Sequence, residues 1–196
     1  MIIKVGGSLI KTVEPILEII KSYNPLIIPG GGIFADSIRR FQRELNFSEE
    51  AAHDMAILAM HQYGIYLSSI SKISTSNIIR NGPVIILPYD LLSIHEPFQC
   101  SWDVTSDSIA AFIASLINDS DIILLKSVDG IYVDNKCIKD ISTSELIELQ
   151  QDVVDPEFTH VLEKYKINCY IYNASNPIKF SDDFAKKNYG TKIHYT

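Results

Sequence analysis

Arginine is scarce in this chain: four of 196 residues, beside 24 acidic ones and a formal net charge of −7. An extended polyanion is held by many cations that displace its counterions, so this balance argues against nucleic acid as a partner. Any anionic ligand must be held by a few local groups. Cysteine is scarce too. Cys100, Cys137 and Cys169 are widely spaced with no CxxC pair, which excludes a disulfide framework and a cysteine zinc site. The same usage fits a reducing, cytoplasmic compartment. Long hydrophobic runs are missing: the longest, Ile109 to Ile117, falls far short of the roughly 20 residues that cross a bilayer. Lys4, Gly6 and Gly7 interrupt the first residues where a signal peptide needs an unbroken apolar run, so neither a targeting segment nor a membrane partner is expected. Repeats, low-complexity tracts and Pro/Gly/Ser linkers are lacking, which reads as one domain over residues 1–196. A chain of this length buries about 70% of its unfolded surface, enough for a core without staples.

What is abundant is isoleucine, 32 residues, much of it in short bursts: Ile2-Ile3, Ile27-Ile28, Ile85-Ile86-Leu87, Ile122-Ile123-Leu124-Leu125 and Tyr170-Ile171-Tyr172. Brief β-branched runs without alternation suit strands covered on both faces, as in a parallel sheet. Between them, helical spacing runs over Glu14 to Tyr23, Phe34 to Leu45, Glu49 to Ser69, Asp107 to Asn118, Ser144 to Gln151 and Phe158 to Lys166. Strands alternating with helices predict an α/β fold with helices on both sheet faces.

Only nine glycines are present, and five form two clusters. Gly6-Gly7-Ser8 follows the apolar Met1-Ile2-Ile3 and Lys4. Bare backbone N–H groups at a strand-to-helix turn suit phosphate oxygens, and Lys4 adds a point charge at the strand's end. The plain reading is a tight βα turn with a surface lysine. Gly30-Gly31-Gly32 again sits between an apolar strand and a helix, and three consecutive glycines exceed what a turn needs. Two such units imply two adjacent anion sites, as a phosphoryl donor and acceptor require. Neither cluster fits GxGxxG or GxxxxGK[ST], so a dinucleotide fingerprint and a P-loop are unsupported.

Three further elements carry polar chemistry. Thr105 or Ser106 can cap a helix opening at Ser108, with Asp107 near its positive end. Asp107 is then either a cap or a permanently ionised group, poor as a general base but able to orient lysines or a Mg²⁺-bound phosphate. The buried run ending in Lys126 enters an Asp129-Gly130 turn, which is either a plain β-turn or a nucleotide pocket, Lys126 near phosphate and Asp129 accepting from ribose hydroxyls. The long helix from Glu49 is apolar nearly all round, marking it as buried or interfacial, and Asp54 either sits at a subunit contact or borders an acceptor pocket. His53 and His61 lack i,i+4 spacing, and no metal site is expected.

Taken together, Ile2-Ile3-Lys4-Val5-Gly6-Gly7-Ser8, Pro29-Gly30-Gly31-Gly32, Thr105-Ser106-Asp107, Leu124-Leu125-Lys126 and Gly190-Thr191-Lys192-Ile193 resemble the amino-acid kinase superfamily, in order and over nearly the whole chain. The resemblance implies an αβα sandwich around a mainly parallel open sheet, ATP as donor, Mg²⁺, and a homodimer or higher homo-oligomer. Asp54-Met55-Ala56, Ile109-Ala110-Ala111 and Asn176-Pro177 are similar to the members whose acceptor is a phosphate monoester. No lysine lies between Asp140 and His160, unlike the acetylglutamate branch, and Ile33-Phe34-Ala35-Asp36 replaces the Gly-x-Phe-Gly-His of the isopentenyl-phosphate branch. An Asn-x-x-Arg-Gly after the glycines, a uridylate-kinase pattern, is absent. The segments Ile33-Phe34-Ala35-Asp36, His53-Asp54-Met55-Ala56-Ile57 and Ser101-Trp102-Asp103-Val104 resemble the branch serving archaeal methanofuran synthesis. That implies an aminomethyl-furanmethyl phosphate as acceptor and its diphosphate as product. Uridylate phosphorylation and a non-catalytic nucleotide-binding protein that stores metal or senses are the alternatives.

By this resemblance Lys4 stabilises the transferring group and Asp107 orients it. Gly6, Gly7 and Ser8 hold the donor phosphates, and Lys126, Asp129, Gly130 and Tyr132 contact the nucleotide. Gly30, Gly31 and Gly32 cradle the acceptor phosphate with Arg39 or Arg40, and Asp54, Thr105 and Ser106 complete the acceptor site.

Overall fold

The structure is a computed structural model describing residues 1–149 and 151–196. The isoleucine bursts form its centre. Strands β1 (Ile2–Val5), β2 (Leu26–Pro29), β4 (Val84–Ile86), β5 (Asp121–Lys126) and β9 (Asn168–Asn173) lie side by side and parallel in the order β4-β2-β1-β5-β9. The short strand β3 (Thr75–Ser76) extends one edge in parallel. At the other edge β10 (Thr191–His194) runs antiparallel to β9 and parallel to β8 (Asp140–Ser142), completing eight strands. The α/β, mainly parallel expectation therefore holds.

Helices cover both faces. Strand alternation turns Ile3 and Val5 toward a core shared with α1 (Val13–Lys21) and α8 (Pro177–Ala185), which supply Ile16, Leu17, Phe180 and Phe184. Ile2 faces the opposite core, with Ile109 and Ile113 of α5 (Ser106–Leu116), Leu92 of α4 (Tyr89–His95), Leu146 of α6 (Thr143–Glu148) and Phe158 of α7 (Pro156–Tyr165). The long helix α3 (Glu49–Ser71) serves both cores: Ile57 and Met60 enter one, Tyr63 and Leu67 the other. It follows α2 (Gly32–Leu45) after a short turn. The accessible surface is 9829 Å², close to the ~9,300 Å² that size scaling gives for a folded monomer.

Helices α4 and α8 and strands β3, β8 and β10 are structural additions to what the sequence patterning predicts. The segment after the Asp129-Gly130 turn is a small hairpin of β6 (Tyr132–Val133) and β7 (Lys136–Cys137). Its turn is Asp134-Asn135, both at positive φ, as a type I′ connection requires.

Two consequences position the site. Lys4 shares the Ile2 face of β1, so its side chain points toward α5. Residue 4 pairs with Leu124 on β5, which puts Lys126 two residues further along the neighbouring strand and on the same face. Strand β1 also lies where the chain order splits, its own crossover leading to β2 on one side while β5 joins on the other. In open parallel sheets that switch point leaves a crevice at the strands' carboxyl ends.

Candidate active site

Lys4, Asp107 and Lys126 meet at the bottom of that crevice. Lys4 Nζ lies 2.8 Å from Asp107 Oδ1, and Lys126 Nζ donates to Asp107 Oδ2 at 2.7 Å. Lys126 also donates to the Val153 carbonyl. The Lys4 contact is an ion pair whose direction leaves Oδ1 without an aligned hydrogen bond. All three residues line one cavity of about 880 Å³, within the span of ligand clefts.

The electrostatics of the trio are lopsided. Burial pushes the Asp107 carboxyl up, but the charges of Lys4 and Lys126 outweigh it and hold it at about 2. Burial lowers the Lys4 pKa, and Asp107 recovers only part of that shift while Lys126 adds to it. Burial is the largest cause at both ends of this ion pair: it prevails at Lys4, which has one carboxylate beside it, and is outweighed at Asp107, which has two lysines. Two lysines therefore share one carboxylate at the cavity, with the Asp155 carboxyl beside them in its lining.

Asp107 is held there by a second carboxylate. Asp155 Oδ2 accepts from the Thr105 and Ser108 amides, each at 3.1 Å, and from the Thr105 hydroxyl at 2.6 Å. Its Oδ1 accepts from the Ser108 hydroxyl and from the Phe158 amide, the latter at 2.9 Å. One side chain therefore caps its own helix α7 and the start of α5, fixing the turn from which Asp107 projects. Burial and the Asp107 charge push the Asp155 carboxyl upward against these donors.

The two glycine clusters pack against each other. A Cβ on Gly7 would come within 2.2 Å of the Gly32 Cα, and Gly32 itself has φ of +52°. Gly7, Ser8, Gly31 and Gly32 line the cavity, so the two turns frame one space; Gly6 and Gly30 are buried behind them.

The remaining candidates divide. Arg39, Thr105 and Ser106 line the cavity. Thr105 spends its hydroxyl on Asp155, and Arg39 lies over the Trp102 ring at 4.4 Å. Arg40 instead stands 3.9 Å from Glu44. Asp54 is exposed and outside the cavity wall: α3 presents His53, Ala56, Ile57 and Met60 there, the i, i+3, i+4, i+7 face, and Asp54 is turned away from it. Asp129, Gly130 and Tyr132 also lie outside the wall. Asp129 accepts from Asn173 Nδ2 at 2.9 Å and from the Tyr132 hydroxyl at 3.2 Å, with Lys179 Nζ at 3.8 Å. Gly130 is buried against Thr191. His61, on α3, is occupied by accepting the Tyr89 amide at Nε2, 2.8 Å.

Sequence patterning alone did not single out Asp155, Trp102, His53 or Lys11 as parts of this cavity. The Asp155-Pro156 pair, a capping residue followed by proline at the first helical position, was the available signal for the first. Among the described residues no group of three or more ligating side chains could hold a metal ion. Asp107 pairs with both lysines and Asp155 accepts from Thr105, Ser108 and Phe158, so among the described residues the cavity holds no three-ligand cage for Mg²⁺. No helix among the described residues is long and apolar enough to cross a membrane.

Residues 66–173 match the profile of the amino acid kinase family. The chain is 31% identical over 210 aligned residues to the [5-(aminomethyl)furan-3-yl]methyl phosphate kinase of Methanocaldococcus jannaschii, covering 98% of this chain and 96% of that one. The fold is similar to UMP kinase from Ureaplasma parvum, with a TM-score of 0.75 at 20% identity, over 98% of this chain and 97% of the other. It is also similar to uridylate kinase from Archaeoglobus fulgidus, with a TM-score of 0.74 at 19% identity, over 98% and 99%. A matching profile over more than half the chain, a relative aligned from end to end and this sheet order agree: the chain belongs to the amino acid kinase family.

Proposed function

We propose that this protein is a phosphotransferase that moves the γ-phosphoryl group of ATP onto the phosphate of a small monoester. The observation that carries the reading is the buried trio of two ammoniums sharing one carboxylate at the floor of a cavity framed by glycine backbone. Two lysines converging on one cavity floor make an anion site, suited to the phosphate oxygens among which charge is redistributed during phosphoryl transfer. The acceptor proposed is [5-(aminomethyl)furan-3-yl]methyl phosphate, the compound in the name of the Methanocaldococcus jannaschii relative.

In this reading an acceptor phosphate oxygen attacks the γ-phosphorus in line. The bond from phosphorus to the β–γ bridging oxygen breaks, ADP leaves with that electron pair, and the acceptor becomes a diphosphate. The attacking oxygen is already anionic, so no general base is required. Catalysis rests on positioning and charge neutralisation. Lys4 and Lys126 neutralise the transferring and leaving oxygens, and Asp107 keeps both ammoniums aimed. Gly7 and Ser8 serve the donor phosphates, Gly31, Gly32 and Arg39 the acceptor's. Asp129 and Tyr132, beyond the carboxyl end of β5, and Asn173, at the end of β9, serve the nucleoside. Mg²⁺, when bound, would rest mainly on the nucleotide and would supply neutralisation of phosphate charge.

Residues 1–196 form one kinase domain in this account, supported by a single sheet running from Ile2 to His194. Self-association is part of it too: Met55, Leu58, Ile65 and Tyr66 leave an exposed apolar stripe along α3, and light scattering reads the outcome directly.

The test is incubation with ATP and a panel of monoesters, with ³¹P NMR of the products. A new diphosphate resonance from the furan compound, matched by ADP release, supports the proposal. Robust UDP formation from UMP would transfer the assignment to uridylate. Stoichiometric ATP binding with no diphosphate from any acceptor would make the protein a binder.

A further inference from the structure

The cavity is not uniformly basic. Away from the Lys4–Lys126 floor, its wall is built from α2, α3 and the loop carrying Trp102, and is mostly apolar: Ala56, Ile57, Met60 and Val104. Asp36 lines this same wall. It stands four residues beyond Gly32 on α2, about 6 Å of helix rise from the acceptor turn.

An aspartate on a helix can pair with an arginine at i+3 or i+4, and Arg39 and Arg40 occupy both positions. Neither pairs with it. Arg39 lies over the Trp102 indole at 4.4 Å, and Trp102 is fixed by donating from Nε1 to Gln42 Oε1 at 2.6 Å. Arg40 goes to Glu44 at 3.9 Å and lies over Phe41 at 5.2 Å. Among the described residues Asp36 has neither an ion pair nor a hydrogen bond. Asp36 is exposed, so water solvates it while the cavity is empty; a ligand seated on this wall displaces that water and leaves the carboxylate repelling a second anion. The repulsion turns into attraction when the ligand brings its own positive charge. Trp102, held by Gln42 and with Arg39 over one side of its ring, lines the same wall and adds aromatic surface for a small ring to pack on.

We propose that Asp36 is a specificity-determining residue that pairs with an ammonium group on the acceptor, so that this lobe selects phosphate monoesters also carrying a primary amine. The inference rests on the phosphoryl-transfer reading above and deepens it. The acceptor spans the lobe with its phosphate at Gly31 and Gly32, its ring along Trp102 and its ammonium at Asp36.

The experiment compares two acceptors, [5-(aminomethyl)furan-3-yl]methyl phosphate and (5-methylfuran-3-yl)methyl phosphate, in the wild type, Asp36→Asn and Asp36→Glu. The wild type should prefer the amine by kcat/KM at least tenfold. Asp36→Asn should lose most of that preference through KM, about 10- to 100-fold, with kcat changed far less; Asp36→Glu should recover part of it. Asp36 is exposed, so its variants are expected to fold, and a thermal melt checks this. Equal losses on both acceptors, or no change on either, overturn the role of Asp36 while leaving the phosphotransferase reading intact. No product from either furan in the wild type, beside UDP from UMP, overturns the acceptor reading and this inference with it.

Discussion

Lys4 Nζ and Asp107 Oδ1 stand 2.8 Å apart with both side chains less than a tenth exposed, and only Asp107 has a second partner. Lys4 is therefore the less compensated member of a buried pair, the condition under which an incoming anion gains most from it. If Lys4 supplies about 3–4 kcal/mol to the transition state, Lys4→Ala lowers kcat by roughly 10²–10³. Steady-state kinetics with circular dichroism as a folding control measures this. A folded variant with near-normal kcat removes Lys4 from the chemistry.

Acid stability follows from the same trio. The Asp107 carboxyl is depressed to about 2 from 3.8, so the folded state binds its proton less readily than the unfolded chain. The resulting stabilisation is full above about pH 4 and is lost as pH falls toward 2, where both states are protonated. Its size is on the order of 2 kcal/mol. Chemical denaturation between pH 5 and 2, wild type against Asp107→Asn, should give a shallower acid limb in the variant. Parallel limbs would mean that other carboxylates set the acid response.

Much of this arrangement was legible in the sequence. The isoleucine bursts mark the five parallel strands because each is covered on both faces, and the glycine clusters mark turns where only backbone fits. Period two along β1 already implied that Lys4 faces the same way as Ile2. The edges were less legible. Strand β10, Thr191-Lys192-Ile193-His194, alternates instead of running apolar, and short β3 and β8 are defined by their neighbours. The candidate site was legible where chemistry follows element ends, as with Lys4 and Lys126 toward the ends of β1 and β5 and Asp107 in the first turn of α5. It was not where a helix rotation decides: His53 and Asp54 are adjacent in sequence, yet only His53 reaches the cavity. Nor could spacing alone announce that Asp155 reaches across 47 residues to the Ser108 amide.

That reach makes Asp155 a stability residue as well as a positioning one. Removing it uncaps α7 and strips the start of α5 of its acceptor, each worth about 1 kcal/mol. Buried amides left without partners add to the loss. Asp155→Ala should lower stability by about 2–4 kcal/mol and weaken turnover through KM and kcat together, since the Asp107 turn loosens. Asp155→Asn, which keeps an oxygen acceptor, should recover part of both. Urea titrations with kinetics on the same samples check it. An unchanged midpoint would show that the donors find water equally well.

The contact between Gly7 and Gly32 separates packing from phosphate binding, since both glycines are required by the fold before any ligand arrives. A methyl group at residue 7 would sit 2.2 Å from the Gly32 Cα, a backbone atom that cannot rotate away, so the two turns must part. Overpacking of this kind costs about 1–3 kcal/mol. Ala at residue 32 adds strain through its φ of +52°. Ser8 is exposed and lines the same cavity, so Ser8→Ala removes a hydroxyl without a clash. Gly7→Ala should therefore lower both the melting temperature and kcat/KM, whereas Ser8→Ala should leave the melting temperature within about 1 °C and act on turnover alone. Differential scanning calorimetry beside kinetics distinguishes the two. Were Gly7→Ala as stable as the wild type, the two glycine turns would not be in backbone contact, and the single cavity they frame would have to be redrawn as two.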